Sequence, residues 1–185
     1  MASAWLAGLL VFCLLWGPSR GSFAQGDDEA EYRVKLAFLY NFTQFIEWPP
    51  EAFHDAEAPL LICVAGQDPF PTEVEQGLRG RVVGGHAIEI RRLRANDNPK
   101  ACHMVFIPAG ERKMAERIAA GTKGSSTLTV GETEGFAEQG GMINLTLDRN
   151  KLRFEINLAA ALQARLKMSS KLLALAKIVK LESSP

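Results

Sequence analysis

The clearest alternation of apolar and polar residues lies in the last third of the chain. Alternation from Leu152 to Ile156 predicts a half-buried strand, with Arg153 and Glu155 exposed or half exposed on the face away from the core. Asn157 comes next and predicts the N-cap of a helix that begins at Leu158. This segment therefore predicts a strand joined rigidly to a helix.

A second strong pattern predicts a helix from Glu29 to Trp48, which Pro49-Pro50 ends. Its apolar residues recur at three- and four-residue spacing, so they share one stripe that should be well buried or meet a partner. They are Leu36, Leu39, Phe42 and Ile46, flanked by Val34, Phe38 and Phe45.

Shorter patterns predict further strands and helices. Apolar runs predict buried strands, and Gly84-Gly85 between two β-like runs predicts a hairpin, as does the turn at 148–151. Single strands are predicted at Leu60 to Val64, Met104 to Ile107 and Thr127 to Val130. The two hairpins lie within 81–93 and at Met142 to Leu147 with Leu152 to Ile156. The helices are Thr72 to Leu78, Glu111 to Ala120, Thr133 to Gln139, Leu158 to Leu166, and a last one carrying Leu172, Leu175 and Val179, capped by Ser169 or Ser170.

This order of elements predicts an α/β fold. We expect a single-domain sandwich, in which a mixed, mostly parallel sheet carries helices on both faces. The antiparallel hairpin of the last two strands should lie at one edge of the sheet.

The first 24 residues have the pattern of a targeting segment that is separate from the folded domain. An apolar run from Leu6 to Trp16 precedes Ser22-Phe23-Ala24, which has small residues at the positions that a secretory cleavage site needs. We expect a signal peptide over 1–24, a flexible lead over 25–30, one α/β domain over 31–180 and a tail over 181–185. An uncleaved membrane anchor and a misassigned start remain the alternatives.

Composition and motifs favour a protein without catalytic chemistry. Lys plus Arg equals Asp plus Glu, at 21 each, so the chain has no overall basic field to hold nucleic acid. The three histidines fall in no zinc-protease arrangement, and the glycine-rich stretches match no phosphate-binding motif. We predict no catalytic residues, no metal and no cofactor.

Two cysteines remain after the leader, Cys63 and Cys102. An even count in an exported chain predicts a disulfide between them, because disulfides persist in oxidising compartments. Two buried free thiols are the alternative, since an unpaired cysteine behaves as a small hydrophobe.

Two blocks of sequence resemble the YfiR family of periplasmic regulators. One runs from Glu31-Tyr-Arg-Val-Lys to Glu47-Trp-Pro, and the other contains Gly140-Gly-Met-Ile-Asn-Leu and Leu152-Arg-Phe-Glu-Ile-Asn-Leu. The resemblance extends from about Glu31 to Val179. It implies a non-enzymatic protein that binds and restrains the periplasmic sensor domain of an inner-membrane diguanylate cyclase. An OmpA-like outer-membrane lipoprotein would relieve that restraint.

We predict a partner-binding surface at Arg153, Glu155 and Asn157, with support from the resemblance at Glu155. Trp48 is a further candidate, either as an aromatic anchor in an interface or as ordinary core packing. The sequence leaves a homodimer open.

The alternative function is a small periplasmic ligand receptor. Two turns, Gly66-Gln67-Asp68 and Pro108-Ala109-Gly110, follow apolar strands and would line a crevice at the carboxyl ends of those strands.

Overall fold

A curled mixed sheet organises the chain. The computed structural model describes residues 24–70, 72–94, 96–149 and 151–179, and within these ranges eight strands form the main sheet and two form a small one. The strands are β1 (Ile46–Glu47), β2 (Leu60–Ala65), β3 (Val82–Val83), β4 (His86–Leu93), β5 (Met104–Ile107), β6 (Leu128–Gly131), β7 (Ile143–Asp148), β8 (Lys151–Ile156), β9 (Lys167–Met168) and β10 (Lys177–Ile178). The α-helices are α1 (Ala24–Phe45), α2 (Thr72–Gln76), α3 (Arg112–Gly121), α4 (Leu158–Gln163) and α5 (Ser170–Leu173).

The main sheet has the order β10-β8-β7-β6-β5-β2-β4-β3. Its central strands from β7 to β4 are parallel, while the hairpins β3–β4 and β7–β8 are antiparallel. The predicted mixed, mostly parallel sheet is therefore confirmed. The expected edge position of the β7–β8 hairpin is wrong, because β10 pairs in parallel with the outer side of β8.

Helices cover both faces of this sheet. Strand β5 shows the division: Met104 and Phe106 belong to the core under α1, whereas Val105 and Ile107 belong to the core under α3. Such a strand is buried on both faces, which explains why its sequence is continuously apolar.

Helix α1 begins at Ala24 and ends at Phe45, so it starts earlier and stops earlier than predicted. Residues 25–30, expected to be a flexible lead, are helical. The four predicted stripe residues are buried, at 3% exposure or less: Leu36, Leu39, Phe42 and Ile46. After α1 the chain becomes extended, because β1 pairs with β9 in the small antiparallel sheet.

One predicted helix is absent from the described part of the chain, and another is shortened. Residues 134–140 form turns, in which Gly135 and Gly140 adopt positive φ angles of 74° and 100° that interrupt a helix. The last predicted helix is shortened to α5, which Ser169 caps as expected, and the chain then forms β10. The Val179 N–H donates to the Ile156 carbonyl at 2.8 Å, so pairing with β8 replaces the helix.

The predicted signal peptide and C-terminal tail lie outside the described residues, apart from Ala24. In the ranges that the structure describes, no helix combines the length and apolar character needed to cross a membrane.

Candidate interaction site

The β7–β8 hairpin projects beyond the end of its neighbour β6. Pairing between β6 and β7 stops at Gly131 and Asn144, whereas the hairpin continues to Asp148 and Lys151. A cleft of about 620 Å³ lies beside the projecting part. We call it the β7 cleft; it is lined by Glu31, Lys35, Ala109, Glu132, Glu134, Gly135, Glu138, Asn144, Leu145, Thr146, Leu147, Leu152, Glu155 and Lys177.

A buried cation forms one wall of the β7 cleft. The Lys35 side chain, 6% exposed, forms ion pairs with Glu31 one turn earlier in α1 and with Glu132 just after β6. Burial would lower the pKa of Lys35, but its hydrogen bonds to Glu132 and Glu31 outweigh that effect and raise it. Glu132 also accepts from the Ala109 N–H at 2.9 Å, so one carboxylate joins α1 to the loops after β5 and β6.

Glu155 forms the opposite wall. Its side chain is 13% exposed because Lys177, on the neighbouring β10, covers it and donates to its carboxylate at 2.7 Å. The hydrogen bond and the charge of Glu155 raise the pKa of Lys177. Glu155 points away from the Phe154 face and is partly exposed, as predicted.

The cleft as a whole is acidic. Its lining contains five glutamates and two lysines, a formal charge of −3. Glu134 and Glu138 are exposed on the turns after β6. Low-dielectric walls lined by one sign of charge focus the field and favour groups of the opposite charge.

The other predicted contact residues of this segment have different roles. Arg153 is exposed on the same strand face as Glu155 and is therefore accessible. Asn157 is fully buried: its carboxamide oxygen accepts from the Ala160 N–H and its NH₂ group donates to the Ala137 carbonyl. It caps α4 as predicted, but it cannot itself touch a partner.

Trp48 is not brought to the cleft. Its indole N–H donates to the His103 carbonyl at 3.0 Å, just before β5 begins, whereas Ala109, just after β5 ends, lines the cleft. The half-buried Trp48 ring packs against the core under α1. Trp48 and the β7 cleft thus lie at opposite ends of β5.

Cys63 and Cys102 are joined by a disulfide, as predicted, with their Cα atoms 6.0 Å apart. Both lie in the core under α3, far along the sheet from the hairpin. The disulfide ties β2 to the segment before β5 and leaves the cleft untouched.

The described residues contain no cluster of three or more His, Cys, Asp or Glu side chains arranged to hold a metal ion. The crevice predicted for a small ligand is only half formed, because Ala109 lines the β7 cleft and residues 66–68 do not.

Sequence reasoning missed most of the residues that line the site, and four of them show why. Lys35 could have been predicted from the sequence, because it lies four and seven residues before Leu39 and Phe42, on the apolar stripe itself. A lysine at such a buried position needs an anion beside it. Lys177 was assigned to a helix, and Glu132 falls between a predicted strand and a predicted helix. Asn144, 1% exposed, lies opposite Glu155, and its amide is oriented to donate to the Gly131 and Thr133 carbonyls at 3.0 and 3.1 Å. Only the fold brings these three residues together.

Comparison with known protein families shows a match over residues 32–177 to the family described as YfiR/HmsC-like. The matched range contains the disulfide and every residue that lines the β7 cleft except Glu31.

Proposed function

Because the chain belongs to the YfiR/HmsC-like family, we propose that it binds and restrains the periplasmic sensor domain of an inner-membrane diguanylate cyclase. The family is periplasmic and regulatory rather than catalytic, and its match covers most of the chain. In this proposal an OmpA-like outer-membrane lipoprotein competes for the protein and relieves the restraint.

The β7 cleft is the proposed binding surface, and the position of Glu155 is the observation that supports it most directly. Glu155 lies on β8, its carboxylate pairs with the exposed Lys177, and the accessible Arg153 lies two residues away. A partner that offers its own cation to Glu155 would replace Lys177 at little cost, because the Lys177 side chain is already 74% exposed to water.

Restraint requires a difference in affinity between two states of the cyclase. A protein that binds the inactive sensor conformation more tightly shifts the population toward it, and a protein that binds both equally shifts nothing. An affinity ratio of about 100-fold, or about 2.7 kcal/mol, would switch most molecules.

The test compares two variants that break the same ion pair from opposite sides. Glu155→Gln removes the anion but keeps a hydrogen-bonding group of the same shape, whereas Lys177→Gln leaves the anion in place. We expect Glu155→Gln to weaken binding to the sensor domain at least tenfold, about 1.4 kcal/mol, while Lys177→Gln binds as well as the wild type or better. In cells, cyclic di-GMP and surface attachment should rise only in the first variant.

The binding partner is identified by affinity capture of the wild-type protein from membranes, followed by mass spectrometry. Recovery of no diguanylate cyclase, together with unchanged cyclic di-GMP in a deletion strain, would refute the proposed function. Equal loss of binding in both variants would instead show that the ion pair matters only for the structure.

Periplasmic location depends on export, which we propose occurs through residues 1–24. Mass spectrometry of the periplasmic fraction should find a mature N-terminus at Gln25, within a few residues. Recovery of protein that starts at Met1 from the cytoplasm would contradict it.

A small periplasmic ligand receptor is the second candidate function, favoured by one observation. The β7 cleft lies at the carboxyl ends of β5 and β6, where open α/β sheets bind small ligands. A neighbouring permease gene would favour this function, and a neighbouring cyclase gene with a membrane-bound sensor would favour the first.

A further inference from the structure

The back of the β7 cleft is an open strand edge. Beyond Asn144, β7 has β8 on one side and no strand of the described residues on the other. Thr146 is half-buried, and Leu147 is 56% exposed. An unpaired edge of this kind is a template for another strand.

The register shows which backbone groups face the open side. The Asn157 N–H donates to the Met142 carbonyl at 2.8 Å, so hydrogen bonds to β8 are made at Met142 and at every second residue after it. Leu147, opposite Leu152, is one of the intervening residues. Its N–H and C=O therefore point away from β8, toward the cleft.

The negative charge of the cleft favours a bound strand that carries basic side chains. Glu134 and Glu138 stand on the exposed turns at its rim, and Glu132 and Glu155 lie deeper in its walls. A strand laid along β7 would project alternate side chains to the two sides of the sheet, toward the acids or toward Leu147 and Leu152.

We infer that the β7 cleft binds an extended segment of the partner, rich in lysine or arginine, as an added strand along the open edge of β7. The segment's backbone pairs with Leu147, and its basic side chains meet the glutamates of the walls. This inference rests on the proposed function, since it describes how the partner is held, and it continues the surface that contains Glu155.

The experiment uses two synthetic peptides and the exported protein. One is an acetylated hexapeptide of alternating lysine and valine, and the other has glutamate in place of each lysine. We expect fluorescence anisotropy to show at least tenfold tighter binding of the lysine peptide, with affinity that falls as salt increases. Reversing the two rim charges, Glu134→Lys with Glu138→Lys, should remove that preference.

Backbone pairing is tested separately with two variants of one residue. Leu147→Pro removes the N–H that faces the cleft, whereas Leu147→Ala removes most of the side chain and keeps the N–H. We expect the proline variant to bind the lysine peptide at least tenfold more weakly than the alanine variant. Hydrogen exchange on the wild-type protein gives the same information without a substitution, because the Leu147 amide should exchange more slowly once the lysine peptide is bound.

Equal binding of the two peptides would overturn the inference. So would proline and alanine variants that bind alike, or a Leu147 amide whose exchange is unchanged by the peptide. If the proline variant does not unfold cooperatively, it is misfolded, and hydrogen exchange at the Leu147 amide of the wild-type protein then tests backbone pairing. The assay contains no cyclase, so it can fail while the membrane capture succeeds, and it can succeed while the capture fails.

Discussion

Replacing Asn157 should destabilise the protein although the residue adjoins the proposed interface. The side chain is 0% exposed and makes two hydrogen bonds: the Ala160 N–H donates to it at 3.0 Å, and it donates to the Ala137 carbonyl at 2.9 Å. It thereby joins the end of β8, the start of α4 and the turns after β6.

The cost of Asn157→Ala follows from these contacts. Loss of an N-cap costs about 1 kcal/mol. The Ala137 carbonyl, left buried without this donor, costs about 1–3 kcal/mol more. A total of about 3 kcal/mol corresponds to a fall in Tm of about 6–12 °C for a chain of this size.

Thermal unfolding followed by circular dichroism measures this fall, with two comparisons. Ser169→Ala removes only a cap, the bond from the Leu172 N–H to its hydroxyl, and should lower Tm by about 2–4 °C. Asn157→Asp keeps the capping oxygen but turns a carboxylate toward the Ala137 carbonyl, so it should be at least as unstable as the alanine variant.

A Tm of Asn157→Ala within 2 °C of the wild type would refute this reasoning. It would mean that the Ala137 carbonyl finds another partner, or that the cap contributes nothing. Loss of partner binding with unchanged stability would return Asn157 to the contact residues that the sequence suggested.

Three further predictions concern the rest of the fold. Thiol labelling under denaturing, non-reducing conditions should find no reactive Cys63 or Cys102 in the exported protein. Replacing both with alanine should lower the free energy of unfolding by about 4 kcal/mol, since the disulfide closes a long loop with a sequence separation of 39. Burial, with the neighbouring His86, lowers the pKa of His103, so its neutral form stabilises the fold above pH 6.5 and that contribution is lost as the pH falls below 6.5. Chemical denaturation should therefore show that the free energy of unfolding differs less between pH 7.5 and pH 5.5 in His103→Gln than in the wild type. A pH difference as large in the variant as in the wild type would contradict this. Lys35→Met should cost about 3–5 kcal/mol, because it leaves the buried Glu132 carboxylate without that cation, and adding Glu132→Gln should recover part of the loss.

The local pattern was enough to predict the sheet's internal strands and the helix caps. Alternation placed Phe154 in the core and Glu155 on the opposite face, and a short polar side chain before an apolar run predicted the caps at Asn157 and at Ser169 or Ser170, of which Ser169 is the cap observed. These features depend on residues two to four positions apart, which the sequence shows directly.

The end of the chain was harder to predict. Leu172, Leu175 and Val179 have helical spacing, yet the chain leaves α5 after Leu173 and pairs with β8. The backbone groups on the outer side of β8 need partners, and a short extended segment supplies them better than a helix would. Because local spacing contains no information about an unpaired edge elsewhere in the fold, the position of Lys177 over Glu155 could not be foreseen.

The sequence by itself determined the α/β class, the mostly parallel sheet, the helices on both faces and the candidate disulfide, because periodicity and the cysteine count depend on the chain alone. Only the tertiary structure decided that Lys35, Glu132, Glu155 and Lys177 share one cleft, that Trp48 lies at the opposite end of β5, and that Asn157 is buried. The reason is physical: the charges come from four separate segments, from Lys35 in α1 to Lys177 in β10, and they meet because β7 extends past the end of β6 while β10 closes the outer side of β8.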